Sequence, residues 1–118
     1  MTRWGAYRGK SSKFGNRPTR CSEGIMHQSG LEARRCTELH LMQKGGLIRD
    51  LQAHPQPRFE LDVNGVHICA YLADFSYHDV ERGETITEDT KGHRTREYEI
   101  KRRLMLAIHG IEIREVRG

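Results

Sequence analysis

The sequence predicts an α/β domain in the order helix, three strands, helix, strand, its mixed sheet flanked by the helices. Two observations predict it. Apolar residues recur at helical spacing in two stretches, and between them lie short extended runs separated by prolines and by Asn64-Gly65 and Gly83 turn signals. At 118 residues the chain suits one compact domain, too small for two independent cores.

The elements follow in order. Ser29 can cap a helix in which Leu31, Arg35, Leu39 and Met42 share a face, and Gly45-Gly46 stops it. In the stretch from Leu47 to Phe59, Pro55 and Pro57 forbid a helix, leaving short extended pieces at its ends. Asn64-Gly65 then makes a tight turn that pairs Arg58 to Val63 with one long strand, Val66 to Tyr77. A turn at Glu81-Arg82-Gly83 sends a third strand, Glu84 to Lys91, back against it. From Arg94 to His109, Ile100, Leu104, Ala107 and Ile108 fall on one helical face, away from Arg94, Lys101, Arg102 and Arg103. Gly110 closes that helix, and Ile111 to Val116 reads as a last, partly buried strand.

Charged residues make up 31% of the chain and hydrophobic ones 36%, so a thin core carries a wide polar surface. The net charge of +4 favours an anionic partner, and the excess is uneven. Arg3, Arg8, Lys10, Lys13, Arg17 and Arg20 all precede the first acidic residue, Glu23. Trp4, Tyr7 and Phe14 lie among them and could stack on unpaired bases, while glycines and Pro18 oppose a helix. Residues 1–25 therefore read as a basic arm, either a clamp on nucleic acid or a solvated terminus, ahead of a domain spanning 26–118. Three cysteines without a C-x-x-C pair suit a reducing cytoplasm, and no apolar run is long enough for a secretory signal or a membrane span.

Hydrolysing a phosphodiester calls for carboxylates that hold Mg²⁺ beside a lysine. Asp89-Thr90-Lys91 ends the third strand, and residues i and i+2 of a strand share a face, so Asp89 and Lys91 should lie together. Glu88 should point the other way, which suggests it as a control. Hairpin pairing can bring Asp74 beside Asp89, and Glu32 sits in the first turn of the first helix, where the dipole favours negative charge.

This constellation resembles the PD-(D/E)xK nuclease superfamily, whose core has the restriction-endonuclease-like αβββαβ order. More narrowly, the runs Ser29-Gly30-Leu31-Glu32-Ala33-Arg34-Arg35, Gln56-Pro57-Arg58-Phe59-Glu60-Leu61, Tyr71-Leu72-Ala73-Asp74-Phe75, Glu88-Asp89-Thr90-Lys91-Gly92 and Ile111-Glu112-Ile113-Arg114-Glu115-Val116 look like a family of small phage proteins catalogued mainly as a domain of unknown function. That family is grouped with Holliday-junction resolvases and phage recombination nucleases. The resemblance covers about residues 13 to 116. It implies metal ligation by Glu32, Asp74, Asp89 and the Thr90 backbone carbonyl, with Lys91 orienting or activating the attacking water. Ala73 replaces the proline that names the motif. The implied activity is a Mg²⁺- or Mn²⁺-dependent endonuclease on branched DNA in phage recombination, in the cytoplasm of a bacterial host; cutting two symmetric strands calls for two sites, so a homodimer is expected. The rival is a non-catalytic DNA-binding module with a nuclease fold.

Other readings of the same residues stand beside these. Ser29-x-x-Glu32 is also a capping box, and Asp89 with Lys91 could be a simple ion pair on a solvated strand. Gln56 could reach the site or remain a polar loop residue. His93, Arg94, Tyr98 and Lys101 could face the DNA backbone, although a basic helix face is often only solvated. Among seven histidines, Cys36-x-x-x-His40 puts two metal-binding groups on one helical face, but no second closely spaced pair completes a zinc site. If the basic arm contacts about six phosphates, affinity for DNA should fall roughly a thousandfold between about 50 and 200 mM salt. A flat salt response in a binding titration would remove the arm from the interface.

Overall fold

The computed structural model describes residues 17–91 and 94–117. A ribbon of β1 (Thr19–Arg20) and β2 (Met26–His27) leads into helix α1 (Gly30–Lys44). Strand β3 (Ile48–Gln52), the pair β4 (Arg58–Val63) and β5 (Val66–Leu72), and strands β6 (Phe75–Asp79) and β7 (Glu84–Thr90) follow. Helix α2 (Arg96–Leu104) runs into a wide helical turn, Met105–His109, before β8 (Arg114–Val116). The fold is α/β, with a four-stranded mixed sheet ordered β3-β6-β7-β8. Its first three strands pair antiparallel, and β8 lies parallel to β7. Apart from the two ribbons, the order is the expected helix, three strands, helix, strand.

Helix α1 begins as its cap predicts. The Ser29 hydroxyl accepts from the Glu32 N–H at 3.1 Å, and the helix stops at Gly45. Its buried side is Ala33, Cys36 and Leu39, whereas Leu31 and Met42 from the expected face are only half-buried. Small side chains at 33 and 36 let the helix backbone approach the sheet closely.

The strands differ from expectation at one place that matters. The long strand expected from Val66 to Tyr77 divides at Ala73-Asp74, so that β5 pairs with β4 in a separate ribbon and β6 joins the main sheet. The Ala73 N–H donates to the Pro57 carbonyl at 3.0 Å, and the next N–H, that of Asp74, donates to the Glu88 carbonyl at 3.1 Å. The N–H groups of two neighbouring residues thus turn to different partners, one beside the β4–β5 ribbon and one in the main sheet, with no glycine or proline to signal the crossing. The first strand of the main sheet is consequently Ile48–Gln52, not Arg58–Val63. The β4–β5 turn is as expected, with Asn64 and Gly65 at φ 52° and 79°, the conformation that a two-residue hairpin requires.

Strand β7 is buried from Ile86 to Asp89. Across the β6–β7 ladder Tyr77 lies opposite Ile86 and Phe75 opposite Glu88, so these four share the face that packs on α1. Thr87 and Asp89 point to the other face, towards the second core of Leu61, Tyr71, Ala73, Tyr98, Met105 and Ile113. Glu88 does point away from Asp89, as expected, and it is a structural residue in its own right. It is fully buried, gripped by the Arg35 guanidinium through bonds of 2.9 and 2.7 Å and by the Tyr77 hydroxyl.

The second helix also differs. Thr95 caps it, its hydroxyl accepting from the Tyr98 N–H at 3.1 Å, which leaves Arg94 outside. Tyr98 and Met105 form the buried face, whereas Ile100 is 53% exposed and Ala107 is exposed as well. The wide turn after Leu104 rotates the later residues away from a regular helical register, so Leu104, Ile108 and Ile111 still pack on the core.

Residues 17–25, expected within the arm, fold against the domain instead, because β1 pairs with β2 and Cys21 is buried on α1. Arg3, Arg8, Lys10 and Lys13 lie outside the described residues. No helix among the described residues is long and apolar enough to cross a membrane. Removing one member of a buried ion pair strands the other charge. Arg35→Ala should therefore lower folding stability by about 3–5 kcal/mol, and Arg35→Met with Glu88→Leu should restore most of it, as measured by urea unfolding.

Candidate functional site

The crossing at Ala73-Asp74 builds the site. It holds Asp74 immediately before β6, next to the last residues of β7, so its carboxylate meets that of Asp89 at the sheet edge. One Asp74 oxygen accepts from the Thr90 N–H at 2.8 Å and from the Thr90 hydroxyl at 2.7 Å. The other accepts from Gln56 Nε2 at 3.2 Å, so Gln56 does reach the site. The pleat turns the Thr90 carbonyl to the same strand edge as its N–H, on the Asp74 side.

Asp89 is 4% exposed, so it is not part of a solvated ion pair. Its Oδ2 accepts from the Tyr71 hydroxyl, and Lys91 Nζ stands 3.5 Å away. The same ammonium lies 4.0 Å above the centre of the Tyr98 ring, a cation–π contact. Tyr98 is held in turn by its hydroxyl, which donates to Glu115 at 2.8 Å, and Glu115 is clamped by Arg94 and Arg117, each at 2.9 Å. The parallel β7–β8 register sets Glu115 beside Asp89 and so fixes this support.

The charges do not balance. Burial, then the neighbouring Asp74 carboxylate, push the Asp89 carboxyl up to about 8, against the Tyr71 hydroxyl and Lys91. Burial and the Asp74 charge also raise the Glu32 carboxyl, opposed by His27 and Lys91. Three acidic groups therefore share one ammonium, an arrangement that favours a divalent cation with oxygen ligands.

Glu32 is the least converged of the three. Its carboxylate accepts from His27 Nδ1 at 2.7 Å, and among the described residues the oxygens of Glu32, Asp74 and Asp89 do not form a set lying mutually within 4.8 Å. The capping box is accordingly half made: Ser29 caps Glu32, but the Glu32 side chain turns to His27 and not back to Ser29.

Several expected DNA-contacting side chains are otherwise engaged. Tyr98 is buried under Lys91, which takes its ring out of reach of a DNA backbone. Arg94 is tied to Glu99 and Glu115, and Lys101 faces Glu97 at 3.8 Å. Arg20 donates to the Gly24 carbonyl at 2.8 Å, and Arg17 is exposed. His93 lies outside the described residues. Tyr71, His27 and Glu115 escaped the sequence reading. Nothing in residue spacing announces them, because each reaches the site through tertiary packing or strand register.

The raised Asp89 carboxyl has a consequence for stability. A carboxyl whose folded pKa exceeds its unfolded value contributes stability that is complete below the unfolded pKa and is lost as pH rises through the folded one. In metal-free protein this window runs from about 4 to about 8. Asp89→Asn should therefore melt higher than the parent at pH values above that window and equally below it, as followed by thermal unfolding in chelator.

Comparison with known proteins adds a family. No curated protein and no solved structure matches the chain. One family profile does, over residues 11–117, nearly the whole length, and it takes in every element of the sheet, both helices and all four residues of the candidate site. The chain therefore belongs to the family described as "Protein of unknown function (DUF1064)".

Proposed function

We propose that the protein is a divalent-metal-dependent endodeoxyribonuclease that hydrolyses phosphodiester bonds in branched DNA, such as a Holliday junction, during phage recombination or DNA processing. The observation that carries this reading is the meeting of Asp74, Asp89 and Lys91 at one sheet edge, with Asp89 buried and short of positive charge. The αβββαβ order and the D-x-K run at the end of the third main-sheet strand support it by their resemblance to PD-(D/E)xK nucleases.

Asp74 and Asp89 would hold Mg²⁺ or Mn²⁺, with the Thr90 carbonyl beside them and Glu32 completing the acidic field. The ion would supply charge to stabilise the pentavalent phosphate. Lys91 does the rest of the positioning. Its ammonium, carried between the Asp89 carboxylate and the Tyr98 ring, donates hydrogen bonds to the attacking water or to the phosphate. Gln56 and Thr90 hold Asp74 in place until a cation competes for its oxygens. Symmetric strands of a junction need two such centres, which a homodimer provides.

A labelled four-way junction incubated with Mg²⁺ tests the reading. The parent should cut, while Asp74→Asn and Lys91→Ala should lose roughly a hundredfold to ten-thousandfold in rate and retain the mobility shift. Cutting by Asp74→Asn at the parental rate would refute the assignment, and a shift without nicks by the parent would favour a binding module.

A further inference from the structure

On the opposite side of α1 from solvent lies a second cluster that the nuclease reading does not use. Cys21, His27, Cys36 and His54 come from the turn after β1, from β2, from α1 and from the loop after β3, yet one ligand atom of each lies within 4.8 Å of the others. Cys36 Sγ and His54 Nε2 are 3.4 Å apart. Tetrahedral zinc, with bonds of about 2.3 Å to sulfur and about 2.0–2.1 Å to nitrogen, requires its ligand atoms to stand roughly 3.3–3.8 Å from one another. We propose that these four side chains form a Cys₂His₂ zinc site that fastens the N-terminal ribbon to the domain.

Three observations lead there independently. His27 Nε2 is the buried side-chain nitrogen that has no hydrogen-bond partner among the described residues, although His27 is only 5% exposed. Its other nitrogen, Nδ1, is committed to Glu32 at 2.7 Å, which leaves the Nε2 lone pair turned inward. A carboxylate on the far nitrogen is the usual outer partner of a zinc-bound imidazole, because it fixes the tautomer and raises the basicity of the ligating atom.

The ribbon supplies the second observation. Its strands have two residues each, far too short to stand by themselves, and between residues 17 and 28 the only buried side chains are Cys21 and His27. Apart from one hydrogen bond, from the Ser22 N–H to the Thr37 hydroxyl at 3.0 Å, the segment is held down through those two groups. A metal bond can hold both, whereas one half-apolar thiol and one unsatisfied imidazole contribute little burial.

The third is the chemistry of the donor set. Cys21 and Cys36 are free thiols, not a disulfide, and two sulfurs with two imidazoles select zinc over the hard cations that suit Asp74 and Asp89. Both cysteines would bind as thiolates, releasing their protons to solvent. His40, the partner suggested by spacing, is passed over, since its Nδ1 lies 2.8 Å from the Cys36 carbonyl and it stacks on the His54 ring.

The test uses the full chain, reduced, stripped of metal and kept in excess Mg²⁺ so that the carboxylate site is not in question. Cobalt(II) should bind at about one ion per chain, with the visible bands and thiolate charge transfer of a tetrahedral S₂N₂ site, and zinc should displace it and raise the melting temperature. His54→Gln, which alters the exposed ligand, should weaken binding by more than the roughly 10–100-fold that loss of an outer partner produces. Cys69→Ser, in the other core cluster, should titrate like the parent. A folded parent that gives no charge-transfer band, a Cys36→Ser variant that binds cobalt like the parent, or recovery of Cys21 and Cys36 as a disulfide would overturn the proposal. None of these outcomes depends on whether the chain cuts DNA.

Discussion

Strand β7 carries two adjacent acidic side chains into opposite faces of the sheet, both out of water, and the way each is compensated organises the rest of the molecule. Glu88 receives a two-bonded guanidinium from α1 and a hydroxyl from β6, so its charge is neutralised and both of its oxygens are hydrogen-bonded. Asp89 receives only the Tyr71 hydroxyl and a lysine at 3.5 Å, and faces a second carboxylate besides. One position is therefore structural and its neighbour is left electrostatically open. A buried carboxylate with a like charge beside it and a cation over it is the pattern expected of a functional centre.

The open side is held by a chain of packed groups. Arg94 and Arg117 fix Glu115, Glu115 fixes the Tyr98 hydroxyl, and the Tyr98 ring carries the Lys91 ammonium. Arg94 and Tyr98, expected to face DNA, thus also support the position of the lysine.

Glu32 links the two centres. Its carboxylate contributes to the acidic field of Asp74 and Asp89 while accepting from His27, a member of the Cys₂His₂ cluster. The N-terminal ribbon is therefore tied to the start of α1, whose Glu32 adds its charge to that of the acidic edge of the sheet. A metal bound at the cysteines would hold the histidine that sets where Glu32 points.

Sequence by itself determined the element order, the ends of α1, the Asn64-Gly65 turn and the shared face of Asp89 and Lys91, because caps, turns and strand alternation act over a few residues. Tertiary structure decided the rest. The strand break at Ala73-Asp74 carries no breaker residue and follows only from which sheet each N–H finds. The buried face of α2 is set by Tyr98 beneath Lys91, not by its most apolar stripe. Four ligands spread from Cys21 to His54 have no local spacing to betray them, since it is the packing of the ribbon and a loop against α1 that makes them neighbours.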